Sequence, residues 1–317
     1  MERARTVATV VVPLALAALA ALAACEPDLG NPGSLVGEAR VLAIRSEPAE
    51  VKPGQDVMLS ALVVDPTGTL MPDIGWGFCG EPAPLSSNNV ASDACVFTAI
   101  SLPARGVAIT ATIPVDTCSN FGPTPPAPEP GEPQRRPHDA DVTGGYYQPI
   151  RALVNLSANV TVPSIGLTRT TCDLANAPID VVVDFRARYH ANVNPRIVSV
   201  IAQRPGEAEA VSLPAELPAH TDIALRVRWS DDSAETYPVF DPQSRALVDH
   251  REAIRVSWFV TGGELESERT GRTEDETESY ADDVWTTPDA GPAHLWLVVR
   301  DSRGGMDFRG FDLTITP

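Results

Sequence analysis

Positive charge is scarce in this chain. Its 317 residues hold 24 Lys and Arg against 42 Asp and Glu, a formal net charge of −18, and Lys52 is the only lysine. A surface this short of grouped cations excludes nucleic acid as a partner, because a polyphosphate backbone is bound by clustered Lys and Arg. It also excludes adhesion to an anionic bilayer by charge. Arginine in place of lysine is the codon habit of a GC-rich genome, and acidic character is a common route to solubility, so neither says more about function. Motifs of catalysis are missing as well. The chain has no G-x-S-x-G elbow, no H-E-x-x-H pair, no P-loop and no G-x-G-x-x-G after a strand pattern. Its five histidines, His138, His190, His220, His250 and His294, stand singly, mostly near turns or strand ends. The expectation is a protein that is not an enzyme.

One long apolar run exists. Arg3 and Arg5 precede Val7 to Ala24, which is apolar except for Thr9 and Pro13. That is the layout of an export signal. A retained membrane helix needs about 20 apolar residues, and the alanine richness, Pro13 and the placement of the cysteine favour cleavage instead. The run ends Leu22-Ala23-Ala24-Cys25, which resembles the lipobox of bacterial lipoproteins. The resemblance implies that residues 1–24 are removed, that the Cys25 thiol takes a diacylglycerol, and that the new amine is acylated. More than one acyl chain makes such an anchor lasting. Glu26 stands where Asp would retain a lipoprotein at the inner membrane in some enterobacterial systems. The expected location is therefore the cell envelope, at the outer membrane, on its periplasmic or exposed face. Residues 25–38 are rich in Pro, Gly, Asn and Glu without an apolar period and read as a tether.

Beyond Cys25 the cysteines are Cys79, Cys95, Cys118 and Cys172. An even number in an oxidising compartment reads as two disulfides, with sequential pairing preferred among the three connectivities. Closing the Cys79–Cys95 loop contributes ~3 kcal/mol on the chain-entropy model. No C-x-x-C pair and no histidine at ligand spacing accompanies them, which argues against zinc.

Period-two patterning recurs along the rest of the chain, with no long helical spacing. The run Val57 to Val64 is apolar enough to be buried on both faces. Strands are also expected at Ile74 to Cys79, Cys95 to Ile100, Val107 to Ile113, Tyr146 to Leu156 and, by the alternation of Val181, Val183, Phe185, Ala187 and Tyr189, over 181–189. These make a first β-sandwich over 39–191. It is interrupted over 114–138 by a proline-crowded surface excursion, since proline cannot donate to a ladder. The pattern restarts after Asn192-Val193-Asn194-Pro195, and 195–317 reads as a second sandwich. In it Ile223, Leu225, Val227 and Trp229 face inward, as do Ile254, Val256, Trp258 and Val260.

The last third resembles bacterial Ig-like domains of the PKD kind. The residues that carry the likeness are Val256-Ser257-Trp258-Phe259, Gly262-Gly263, Trp285-Thr286-Thr287-Pro288-Asp289, Leu297-Val298-Val299-Arg300-Asp301 and Gly304-Gly305. The opening Val41 to Gly54 resembles the first strand and turn of similar modules, and Trp76 stands where a core tryptophan of a third strand would. The resemblance implies an all-β chain of two tandem Ig-like sandwiches serving as a stalk, spacer or binding module. Trp76 and Trp258 read as core, because inward alternation explains them.

Acidic clusters occur at Asp231-Asp232 with Asp241, Glu274-Asp275-Glu276 and Asp282-Asp283, with Asp139 and Asp141 in the first domain. Oxygen ligands on loops suit Ca²⁺, but no EF-hand spacing is present, and solvated loops in an acidic protein account for them. No cofactor is expected. The leading functional expectation is a lipid-anchored, non-enzymatic binding or adhesion module with a protein or glycan partner. Its rival is a structural or accessory subunit of an envelope assembly for secretion, transport or polysaccharide.

Overall fold

Alternating strands need a partner sheet for their apolar side, and this chain supplies two such pairs. The computed structural model describes residues 32–83, 91–122, 130–131, 142–174 and 177–317. The expected signal peptide, Cys25, His138, Asp139, Asp141 and most of the proline-rich stretch lie outside the described residues.

In the first sandwich, one sheet joins β1 (Arg40–Glu47), β3 (Asp56–Asp65), β4 (Gly68–Leu70) and β7 (Ala108–Thr112). The facing sheet runs β2 (Glu50–Val51), β9 (Val160–Thr171), β8 (Gly145–Ser157), β5 (Asp73–Phe78) and β6 (Ile100–Arg105). Between them Leu59, Val63, Ile74, Trp76, Ile150 and Val154 form the core. The Trp76 indole is buried and donates to Gly106 O at 2.8 Å, so its one polar atom is satisfied.

The second sandwich pairs two five-stranded sheets. One runs β11 (Val211–Ser212), β10 (Ile197–Gln203), β13 (Asp222–Trp229), β19 (Tyr280–Thr286), β17 (Glu264–Leu265). The other runs β12 (Glu216–Pro218), β21 (Met306–Thr316), β20 (Gly291–Asp301), β16 (Ile254–Val260), β18 (Arg269–Arg272). A hairpin of β14 (Thr236–Asp241) and β15 (Ala246–Arg251) stands apart from both sheets. Trp258 and Trp285 are both fully buried in this core. The Trp285 indole donates to Gly262 O at 3.0 Å, and the next residue, Gly263, holds φ +78° with no room for a Cβ, which would sit 2.2 Å from Thr286 O.

The strand β3 is buried on both faces over its C-terminal half, and the second face touches the other sandwich. Leu62 and Val64 pack with Leu42, Ala43 and Val36 against Trp296 and Val298 of β20, with Phe259, Met306 and Phe308 around them. A bulge between Val41 and Ala43 breaks the alternation of β1, so that Leu42 and Ala43 both reach this seam. Residues Gly33–Pro317 accordingly form one compact unit.

Several local expectations need correction. The stretch expected as a strand over 181–189 is a helix, α3 (Ile179–Arg188). Val181, Phe185 and Tyr189 are spaced by two steps of two, which is also one helical turn of four, so both periods fit the same residues. Pro178 ahead of the helix, Asp180 in its first turn and Arg186 and Arg188 in its last suit the helix ends, and Phe185 is buried against Leu174 and Phe240 of the hairpin. The stretch from Cys95 opens as a helical turn, α1 (Cys95–Thr98), and only from Ile100 does it become β6. The base of the proline-rich stretch contains a further short helix, α2 (Thr117–Phe121), whose Phe121 is buried beside Cys79 and Cys95 rather than exposed. The strand β9 has no counterpart in the alternation reading. Pro163 and Gly166 interrupt its pattern, and Pro163 is tolerated because only β8 pairs with β9 there.

Candidate functional site

The four cysteines of the first sandwich form two disulfides, Cys79–Cys95 with Cα atoms 5.2 Å apart and Cys118–Cys172 with 5.4 Å. The first ties α1 to the end of β5, and the second ties α2 to the end of β9. Disulfides of this kind belong to an oxidising compartment.

The acidic clusters do not converge. Among the described residues no group of three or more His, Cys, Asp or Glu is arranged to hold a metal ion. Asp241 accepts from the amides of Gln243 and Ser244, Glu276 accepts from the Thr273 amide, and Glu274 meets His250 Nδ1 at 3.1 Å. Asp282 is held by Arg226 through two hydrogen bonds of 2.6 and 2.9 Å, while its neighbour Asp283 is buried and accepts from the amides of Ser267 and Val284.

Sequence reasoning missed two constellations, both assembled from distant segments. The first is a buried polar junction between the sandwiches. Glu50 is fully buried and accepts from Arg169 Nε at 3.1 Å, Thr171 Oγ1 at 2.7 Å, the Tyr189 hydroxyl and the Asn192 amide at 3.0 Å. The Asn192 side chain then donates to Asp301, which also accepts from the amides of Arg303 and Gly305. The buried Arg303 guanidinium pairs with Glu252 at 2.6 Å and Glu235 at 2.9 Å and stacks over the Tyr237 ring. Burial, followed by the charge of Asp301, pushes Glu252 up to about 7. Burial also raises Asp301 to about 6 against the pull of its hydrogen bonds. Burial is likewise the main reason the Tyr189 phenol is held protonated well above the usual tyrosine range. Asn192 and Asn194, at the restart of the sequence pattern, are both buried here, and Asn194 donates to Ser46 O at 2.7 Å.

The second constellation is an open trough on the outer face of the β18, β16 and β20 strands, beyond the apolar seam. Arg255 of β16 lies directly across from Arg300 of β20, and Arg269 of β18 projects from the same face, across from Ser257. The three line a cavity of about 370 Å³ with Ser257 and Ser302. It continues into a second cavity of about 580 Å³ that shares Arg255 and Arg269 and reaches Tyr237, Thr270 and Arg272. Arg255 and Arg269 are exposed, and Arg300 is half-buried with Nη2 donating to Leu42 O at 3.1 Å. Burial, and then the charge of Arg269, lower the Arg300 pKa below the ordinary arginine value. Among the described residues none of the three meets a carboxylate within ion-pair distance. Of the two carboxylates that line the cavities, Asp301 is turned to Asn192, Arg303 and Gly305, and Glu274 meets His250. Beside two other cavities of the described residues the arginines are paired, Arg226 with Asp282 and Arg186 with Asp173.

No protein-family model matches the chain, and no curated protein matches it. Among solved structures it is similar to the D0-D1 domain of intimin, at 10% identity over 87% of this chain and 99% of that one, with a TM-score of 0.22. It is similar to the fibronectin(III)-like modules of Clostridium thermocellum CbhA at 10% identity, over 90% and 92% of the two chains, TM-score 0.22. It is also similar to the Yersinia pseudotuberculosis adhesin InvE at 10% identity, over 91% of this chain and 62% of that one, TM-score 0.22. Scores of this size carry no argument about function. The all-β class with sandwich-type sheets in tandem rests on the sheets themselves.

Proposed function

We propose that the chain is a lipid-anchored envelope protein that acts as a non-enzymatic binding or adhesion module for a protein or glycan partner. The observation that carries this reading is the open arginine-lined trough on a pair of sandwiches joined by an apolar seam. A cleft of unpaired polar groups on a rigid scaffold is what recognition requires, because little ordering is left to be done on binding. The paired cysteines support export, and the Arg3, Arg5 and Leu22 to Cys25 pattern supports a lipid anchor at the outer membrane. Residues 1–24 are read as the removed signal, 25–32 as the lipid-bearing tether, whose expected continuation over 33–38 is instead docked on the second sandwich through Ser34, Leu35 and Val36, and 39–191 and 195–317 as the two Ig-like units.

The test compares wild type with Cys25→Ala by intact mass, membrane fractionation and protease shaving of whole cells, followed by probing glycan and protein arrays with the purified chain. The reading expects lipid mass and membrane association only in wild type, and saturable capture of at least one array ligand. A Cys25→Ala protein that matures and fractionates like wild type sinks the anchor, and an array without any saturable ligand sinks the binding module.

A further inference from the structure

The placement of Arg255 and Arg300 is costly as it stands. Like charges directly across two paired strands destabilise a sheet, and Arg269 adds a third to the same face. Of the chain's 42 carboxylates, none among the described residues meets them within ion-pair distance, and Glu274, on the wall of the adjoining cavity, is engaged by His250. On its other side Arg255 is paired with Gly271, whose φ of +151° and close approach to Ile254 O leave no place for a side chain, so nothing from β18 covers the guanidinium at that register. We propose that the trough is an oxyanion cleft for an acidic saccharide chain, whose carboxylate or phosphate groups sit among Arg255, Arg269 and Arg300. This rests on the binding-module reading and deepens it by naming the ligand class.

Three features select a saccharide. Arginine forks match carboxylate and phosphate oxygens in bidentate geometry, which supplies the anion contacts. The Ser257 and Ser302 hydroxyls line the cavity among the arginines, and the adjoining cavity reaches Tyr237, so donors and acceptors suited to sugar hydroxyls stand beside the anion contacts. The two cavities adjoin, sharing Ala253, Arg255, Arg269 and Ser302, and at about 370 and 580 Å³ offer more room than a single ion needs. A bilayer surface fits worse. Its headgroups would have to reach into a recess while the rest of a surface of net charge −18 repels them, a repulsion screened only beyond a Debye length of ~8 Å at physiological salt.

The experiment titrates the full chain with hexagalacturonate, pentamannose phosphate, neutral maltohexaose and phosphatidylglycerol vesicles, at low and high salt. Arg255→Gln combined with Arg269→Gln is the test variant, since both residues are exposed and make no ion pair among the described residues. Arg228→Gln, exposed on the other sheet, is the control. The proposal expects saturable binding of at least one acidic oligosaccharide, weakened by high salt and by about tenfold or more in the double variant, equivalent to about 1.4 kcal/mol, with Arg228→Gln unchanged and maltohexaose far weaker. It is overturned if wild type binds neither acidic oligosaccharide, if the double variant binds as well as wild type, or if wild type prefers the vesicles. An array ligand whose capture survives the double substitution overturns the cleft while the binding module stands. Absence of any saturable ligand in both experiments overturns both.

Discussion

Trp296 of the second sandwich donates its indole N–H to Thr69 Oγ1 of the first at 2.8 Å, with the ring fully buried in the seam between them. An outward-facing tryptophan on a sheet would ordinarily meet solvent. Here it is the centre of an apolar contact whose other members are Leu42, Leu62, Val64 and Val298.

Trp296→Ala should therefore cost about 3–5 kcal/mol, the range for removing a buried aromatic side chain. Thr69→Ala should cost about 1 kcal/mol, the net worth of one hydrogen bond. Calorimetry is expected to show one cooperative transition in wild type and two separated transitions in Trp296→Ala, because the sandwich cores themselves are untouched. A single transition shifted as a whole would show that the two halves stay coupled without Trp296, through the polar junction.

Breaking the Glu50–Arg169 pair should be among the most destabilising single changes. Both side chains are almost wholly buried, at 0% and 2% exposure, so Arg169→Met strands a carboxylate in the interior at about 3–5 kcal/mol. Glu50→Gln together with Arg169→Met should recover part of that loss. Denaturant unfolding of wild type and the two variants checks it, and a double variant no better than Arg169→Met would place the cost in packing.

Stability should fall as pH rises from about 4 to about 7. Glu252 stands at about 7, Asp301 at about 6 and Asp283 at about 6, each raised first of all by burial. A carboxyl whose folded pKa exceeds its unfolded one binds more protons in the native state between those two values. Stability in that window declines with rising pH, and the decline ends above the folded pKa. The melting temperature should thus rise on moving from about pH 7.5 to about pH 5, and Glu252→Gln should flatten the slope, most of all between pH 5 and 7.5. A melting temperature that falls across that interval in wild type would contradict the assignment.

Reduction of the disulfides should weaken the first sandwich. On the chain-entropy model, closure of the Cys118–Cys172 loop, 54 residues apart, stabilises by about 4 kcal/mol, and that of Cys79–Cys95, 16 apart, by about 3 kcal/mol. Cys118→Ser with Cys172→Ser should accordingly lower the denaturation midpoint more than Cys79→Ser with Cys95→Ser. The reverse order would show that native packing around Phe121, and not loop closure, dominates.

The sequence by itself determined the all-β character and the inward residues. Alternation at Ile223 to Trp229 and at Ile254 to Val260 is a local property, since successive side chains on a strand face opposite ways whatever the partner. Cysteine parity likewise pointed to two bridges. The same reasoning went astray at 181–189, where Val181, Phe185 and Tyr189 satisfy two periods at once and only the hairpin packed against Phe185 decides for the helix. The apolar run Val57 to Val64 was legible as burial on both faces, which holds for Leu62 to Val64 but not for the exposed Met58, and what buries the second face was not legible. The seam, the Glu50 to Arg303 junction and the meeting of Arg255, Arg269 and Arg300 were decided by tertiary structure alone. Each joins residues brought together by strand register and sheet packing, and those long-range pairings depend on the whole set of strands at once, whereas alternation depends only on the nearest neighbours in the chain.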